Sequence, residues 1–218
     1  MESKSKDETL AQDLIGIALK GGAKDAVMIS TEKIIVDPRA RLKCMVPPCS
    51  LSGICKFCPP YGFSPQQTRR RVNKYKNAIF FCVEVESKII ACPEVGDAVR
   101  EYKADKKGRL LIVGAYQLLV FQIVALIEKR AKKLGYKPAG YVAAACKELL
   151  CFLHDDCPVV AARKPCRHPD IARPAMEASG MDVFKMAAGV GWDIYPIGRS
   201  LHPEDVPRGI LLGLILID

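Results

Sequence analysis

No Gly-x-Gly-x-x-Gly fingerprint and no Walker sequence occurs in the 218 residues, so a dinucleotide or P-loop site has no support. Aromatic residues make up only 7% of the chain, and few of them accompany its basic clusters. Stacking on single-stranded nucleic acid needs that combination, so nucleic acid is disfavoured as a partner. The opening segment, MESKSKDETL, lacks the apolar h-region of a signal peptide, and the expectation is a cytoplasmic protein. No Ser/Gly-rich linker divides the chain, which predicts one body over residues 1–218.

Half of the residues are hydrophobic and 26% are charged, an ordinary soluble composition. Leu110 to Ile127 carries no charge and is long enough to raise the question of a membrane span. Gly114, Gln117 and Gln122 interrupt it, and it runs on directly into Glu128-Lys129-Arg130. A buried core helix, with no membrane partner, is therefore expected. Gly209 to Asp218 is apolar but too short to span, and predicts a buried strand.

The feature that stands out is cysteine order. Ten cysteines are present, and eight form two sets about a hundred residues apart. Cys44, Cys49, Cys55 and Cys58 form the first, and Cys146, Cys151, Cys157 and Cys166 the second. Both begin Cys-x4-Cys-x5-Cys. In a reducing compartment such a pattern favours metal binding over disulfides. Four thiolates are the ligand count of a tetrahedral zinc site or an iron–sulfur cluster. Zinc knuckles use tight pairs, and only Cys55-Lys56-Phe57-Cys58 has one. The wider gaps suit a loop wrapped around something larger than an ion. Cys58-Pro59 and Cys157-Pro158 match the Cys-Pro ending of ferredoxin motifs. One or two [4Fe-4S] clusters are favoured, with zinc as the alternative.

Thirty-three Lys and Arg against twenty-four Asp and Glu give a formal charge of +9. Two oxidised cubanes, each with four thiolates, would lower that to about +5. Much of the basic excess thus offsets cluster charge. Arg39, Arg41 and Lys43 precede the first set, and Arg163, Lys164, Arg167 and Arg173 surround the end of the second.

Other candidates are weaker. Cys82 lies on an apolar strand and is expected in the core. Cys92 precedes Pro93 and could be an exposed thiol, without a paired base in sequence. His154 and His168 could ligate a metal or hydrogen-bond to a cluster, although solvated loop histidines are commoner. His202-Pro203 is expected in a loop. Glu177 and Asp182 could do proton chemistry near the second set, and helix capping also accounts for Asp182. Arg69-Arg70-Arg71 is a solvated helix face before it is a docking patch.

The pattern predicts helices over Thr9–Lys20, from Ser64-Pro65 to about Lys76, over Leu110–Leu134, from Pro174 to Gly180, and from Asp182 to Ala188. Strands are predicted at Asp25–Ser30, Lys33–Val36, Ala78–Val85, Ile89–Cys92, Ala139–Ala145, Trp192–Ile197 and Gly209–Ile217. The fold class is α+β or α/β around a mixed sheet. Both halves, 8–92 and 109–218, follow helix, strand, cysteine loop, helix, strand, so a duplicated unit is a hypothesis.

Two passages resemble the prokaryotic "predicted metal-binding proteins", a family whose domain has no assigned function. Arg39-Ala-Arg-Leu-Lys-Cys44, Pro48-Cys49 and Cys58-Pro-Pro60 are similar to its first cysteine motif. Cys166-Arg-His-Pro169, Ala172-Arg-Pro-Ala-Met-Glu-Ala178, Gly180-Met-Asp-Val183 and Gly191-Trp-Asp-Ile-Tyr-Pro196 are similar to its second. The resemblance implies metal binding through cysteines, as an iron–sulfur cluster in anaerobic prokaryotes, and supplies no reaction. It also implies a first site of Cys44, Cys49 and Cys58, with Cys55 a local addition. The tight Cys55–Cys58 spacing favours a closed shell of four. Three functions stay open: an electron carrier with an acidic redox partner, an enzyme with an open iron, and a structural zinc protein.

Overall fold

The computed structural model describes residues 2–49, 51–91, 107–197 and 202–218. Helix α1 (Glu2–Lys20) ends at Gly21-Gly22, where Gly22 takes a positive φ of 102°. Strand β1 (Asp25–Ser30) follows, then the short helix α2 (Pro38–Leu42), capped by Asp37. Helix α3 (Pro65–Val72) has the expected capping box between Ser64 and Gln67, and stops earlier than expected. Strand β2 (Asn77–Glu86) runs into a single helical turn, α4 (Ser87–Ile90). The long helix α5 (Lys107–Lys133) leads to β3 (Ala139–Val142), α6 (Cys146–Leu150), α7 (Pro158–Ala161) and α8 (Val183–Ala188). Strand β4 (Arg208–Ile217) closes the chain.

The four strands form one antiparallel sheet in the order β1-β2-β4-β3, so the fold is α+β in a single body and the sheet is not mixed. Its centre is the ten-residue pairing of β2 with β4, from Asn77 opposite Ile217 to Glu86 opposite Arg208. Antiparallel sheets often leave one face to water. Here both faces are covered. Ile79, Phe81, Val83 and Val85 of β2 join Leu211, Ile215 and Ile217 of β4 under α1 and α5. Their neighbours Ala78, Phe80 and Cys82, with Leu212, Leu214 and Leu216, pack on α3, α8 and the Met176–Met181 segment. Period-two alternation thus supplies two cores, each large side chain contributing about 1.5–3 kcal/mol of transfer free energy.

Helix α5 is long and apolar enough, by length and composition, to cross a membrane. Val120, Phe121, Ile123, Val124, Ile127 and Ala131 form its buried stripe, while Ile112 and Leu126 are half exposed. The buried stripe is the expected one, although the helix is not buried all round.

Three expected strands do not form. Lys33–Val36 is a 3-10 turn (Thr31–Lys33) and an irregular run, of which Val36 bridges Met181 alone. Ile89 and Ile90 belong to α4, and Cys92 lies outside the described residues. Trp192–Ile197 is irregular: Trp192 stacks on Phe80 and donates from Nε1 to Asp25 at 2.8 Å, so burial replaces strand pairing. The expected Pro174 helix is instead a bridge from Ala175 to Val142 and a 3-10 turn, Glu177–Ser179. His202 caps a further 3-10 turn, Pro203–Asp205. The half-repeat is not confirmed; the halves share an order of elements.

Tyr141 is fully buried beside the Arg71 guanidinium, and burial pushes its phenol up to about 12. The unfolded phenol ionises near pH 10, so the fold loses stability as pH climbs from there toward 12, on the order of 2–3 kcal/mol. Urea unfolding across that window will show a shallower loss for Tyr141→Phe than for the parent. Parallel curves would remove this origin.

Candidate metal centre

The first cysteine loop joins α2 to α3. Arg41 braces it, donating to the Phe63 carbonyl and to Pro60 O at 3.4 Å. Within it, turns run from Cys49 N to Cys44 O at 3.1 Å, Cys58 N to Cys55 O at 3.1 Å, and Gly62 N to Cys58 O at 2.9 Å. A Cβ at Gly62 would stand 2.5 Å from the Phe57 carbonyl, so only glycine lets the chain fold back this closely. Leu51 N–H points at Cys49 Sγ, 3.5 Å away, the kind of amide-to-sulfur contact expected around a cluster.

The second loop follows β3. Cys146 opens α6, Cys151 follows its last turn, and Cys157 sits at the N-cap of α7 with Pro158 as first helical residue. Proline there fixes φ where no amide donor is needed, which sets the direction in which the chain leaves the sulfur. The segment after Cys166 is clamped by Arg173. Its guanidinium pairs with the buried Glu128 carboxylate of α5, and donates to the carbonyls of Pro169, Asp170 and Ala172. Glu128 Oε1 also accepts from Gly140 N at 2.7 Å. One carboxylate therefore ties helix, strand and cysteine loop together.

Cys146, Cys151, Cys157 and Cys166 all line one small hollow of about 10 Å³, room for about one water. Cys55 lines it too, while Cys44, Cys49 and Cys58 do not. Sequence grouping and spatial grouping thus differ by one residue. Cys55 Sγ lies 3.4 Å from Cys58 Sγ, and Cys55 lines the same hollow as Cys146. Those two neighbours, Cys146 first, hold the Cys55 thiol well below the ordinary range. The same contacts, with burial, push Cys58 and Cys146 up. Burial also raises Cys44 and Cys151, the latter against the Arg167 hydrogen bond to its sulfur.

Lys56, Lys147, Arg167 and His168 share the rim with apolar Leu150, Pro158 and Ala172. Lys147 is buried, with Nζ donating to His154 O at 2.6 Å. His154 itself is exposed. Among the described residues, no group of three or more His, Cys, Asp or Glu side chains is already arranged to hold a metal ion. The donor set suits a soft metal: cysteine sulfurs, one imidazole at the rim, no carboxylate, and cations to offset thiolate charge.

Glu177 belongs elsewhere than expected. It pairs with Lys43 at 3.0 Å, beside Cys44 and the first loop. Asp182 caps α8 through Lys185 N at 3.1 Å. Cys82 is buried on the opposite sheet face, in the core as expected. Arg167 was among the cations expected beside the second set, whereas Lys147 and the pairing of Glu128 with Arg173 were not singled out from sequence. A glutamate at the end of an apolar run was the one signal available.

A cysteine-lined hollow on an α+β scaffold defines a candidate metal-binding protein. Residues 27–217 match the family "Predicted metal-binding protein (DUF2284)", and the chain belongs to it. No curated protein and no solved structure matches the chain.

Cys157→Ser will lower metal content and thermal stability more than Cys82→Ser, because ligand binding is coupled to folding. Metal analysis of both variants checks it, and equal contents would remove Cys157 from the ligand set. Glu128→Ala strands the buried Arg173 guanidinium and will cost about 3–5 kcal/mol. A urea-unfolding loss below about 1 kcal/mol, the exposed-pair range, would show that the clamp is dispensable.

Proposed function

We propose that this metal-binding protein carries one or two [4Fe-4S] clusters and acts in electron transfer with a redox partner in an anaerobic cytoplasm. A single observation supports this most: all four second-set cysteines line one hollow, ringed by cations and free of carboxylates. A cluster bound there would supply one-electron chemistry. The chain's residues would ligate it, exclude water through Leu150 and Ala172, and offset its charge through Lys147 and Arg167. Cys55, 3.4 Å from Cys58 and in the wall of the hollow that Cys146 lines, links the two loops and would give electrons a short path between them.

The partner would be acidic. Lys129, Lys132 and Lys133 line an open groove of about 870 Å³ along α5, bounded by Asp170, Ile171 and Arg173 of the segment following Cys166. Complementary charge at such a site speeds encounter and fixes orientation.

Cys55 in the wall of the second hollow favours a second reading, in which Cys44, Cys49 and Cys58 leave one iron open for Lewis-acid catalysis. Anaerobic purification with metal and sulfide analysis tests both. Iron, sulfide and a broad band near about 400 nm are expected. Colourless protein with stoichiometric zinc, from iron-replete anaerobic cells, would overturn them and leave a structural zinc protein.

A further inference from the structure

We propose that Thr68, Arg71, Tyr141 and Ser179 form a binding site for a small inorganic oxyanion, of the phosphate or sulfate class. It lies at the junction of α3, β3 and the Glu177–Ser179 turn. Tyr141 packs in the core on the sheet face that Cys55 and Cys146 do not share, so the site is independent of the metal centre. Three hydroxyls carry the inference. Thr68 Oγ1, Tyr141 Oη and Ser179 Oγ are buried and have no hydrogen-bond partner among the described residues. The three residues are 0%, 0% and 1% exposed. An unpaired buried hydroxyl is costly, and three at one junction call for a common partner.

Packing brings the three to one stretch of α3. Pro65, Thr68 and Arg71 recur at every third residue and follow one another along one side of that helix. At the Pro65 end, a Cβ on Gly180 would stand 2.9 Å from the proline Cγ, which puts Ser179 next to that contact. At the Arg71 end, the guanidinium lies over the Tyr141 ring, 5.9 Å from its centroid. Thr68 is one turn from each. The strand and the turn are also joined directly, since Val142 N–H donates to Pro174 O at 3.0 Å and Met176 N–H to Val142 O at 2.9 Å.

Arg71 supplies the charge. Among the described residues its guanidinium has no ion pair and no hydrogen bond, and it is held over the rings of Phe63, at 5.0 Å, and Tyr141. Arg71 is only half-buried, so the junction meets solvent on its side. The carboxylates of the adjoining segment are engaged elsewhere, Glu177 with Lys43 at 3.0 Å and Asp182 with Lys185 at 3.3 Å. A metal cation here would meet an uncompensated positive charge. A single water has too few lone pairs for three hydroxyls and a guanidinium. An oxyanion accepts from all of them, and the planar guanidinium fork matches two of its oxygens. Bound there, it would join α3, which follows the first cysteine loop, to the segment that follows the second.

The test titrates the full chain, as purified, with inorganic phosphate and with sulfate, against chloride at matched ionic strength. Calorimetry and thermal unfolding are the readouts. The parent should bind one oxyanion per chain and unfold at a temperature that rises with its concentration, and the tighter of the two anions identifies the ligand. Arg71→Ala should weaken binding about tenfold or more, the scale of a hydrogen bond to a charged group. Thr68→Val keeps the shape of the side chain and should also weaken binding about tenfold. In chloride it should raise the melting temperature, because a buried unpaired hydroxyl has been removed. If Arg71→Ala does not fold, Thr68→Val and Ser179→Ala decide. Absence of saturable binding to the parent overturns the site. Parent-like affinity in the variants overturns it too, since the anion then sits elsewhere, as on the lysines of α5.

Discussion

The pairing of β2 with β4 is the constraint on which the rest of the molecule depends. It joins residues more than a hundred positions apart over ten consecutive partners, and every other element is placed by it. With β1 outside β2 and β3 outside β4, the two cysteine loops leave opposite halves of the chain yet reach a common region. Each strand's alternation then fixes which side chains face which layer, because a slip of one residue would exchange the two cores. Helices α1 and α5 cover the face into which Cys55, Cys58, Cys146 and Cys157 also pack, whereas Cys82 is on the other side. The site is thus an extension of one hydrophobic core, closed on one side by packed apolar residues and open at its mouth.

Charge is organised around that site in two ways. Glu128 and Arg173 are both largely withdrawn from water, at 5% and 14% side-chain exposure, and their pairing with Gly140 N and three loop carbonyls compensates the desolvation. The close approach of α5 to β3 depends on Gly140, where a Cβ would stand 2.3 Å from Val124. That pair holds position rather than doing chemistry. Lys56, Lys147 and Arg167, by contrast, are residues of the hollow's own lining, with Lys147 Nζ held by the His154 carbonyl. A cluster in this setting would gain from fixed cations without losing solvent access to a partner, since the lysine groove adjoins the same loop. Phe152 and Leu153, between Cys151 and Cys157, are exposed and add apolar surface to the second loop.

Much of the scaffold was legible from local signals. The Ser64–Gln67 capping box, the Asp182 cap, the Gly21-Gly22 stop and the alternation of β1, β2 and β4 are short-range chemistry, and each appears where it was expected. The strands that failed were decided by packing. Ile89-Ile90 follows β2 without a turn able to send it back, and Trp192 satisfies its indole on Asp25 and Phe80 instead of on a neighbouring strand. Glu177 went to Lys43 and the first loop, although it is near the second set in sequence, because the Met176–Met181 segment crosses the sheet face beneath α2 and α3.

By itself the sequence determined the donor chemistry: eight cysteines in two spaced sets, with cationic neighbours and few histidines. That much follows from composition and spacing, since thiolate count and softness are properties of residues rather than of folds. Only the tertiary structure decided how the sulfurs group. Cys55 is three residues from Cys58 and ninety-one from Cys146, and spacing assigns it to the first set alone. The sheet brings Cys146 to the same hollow, and a long-range placement of that kind is set by strand order and helix packing, which no local pattern encodes.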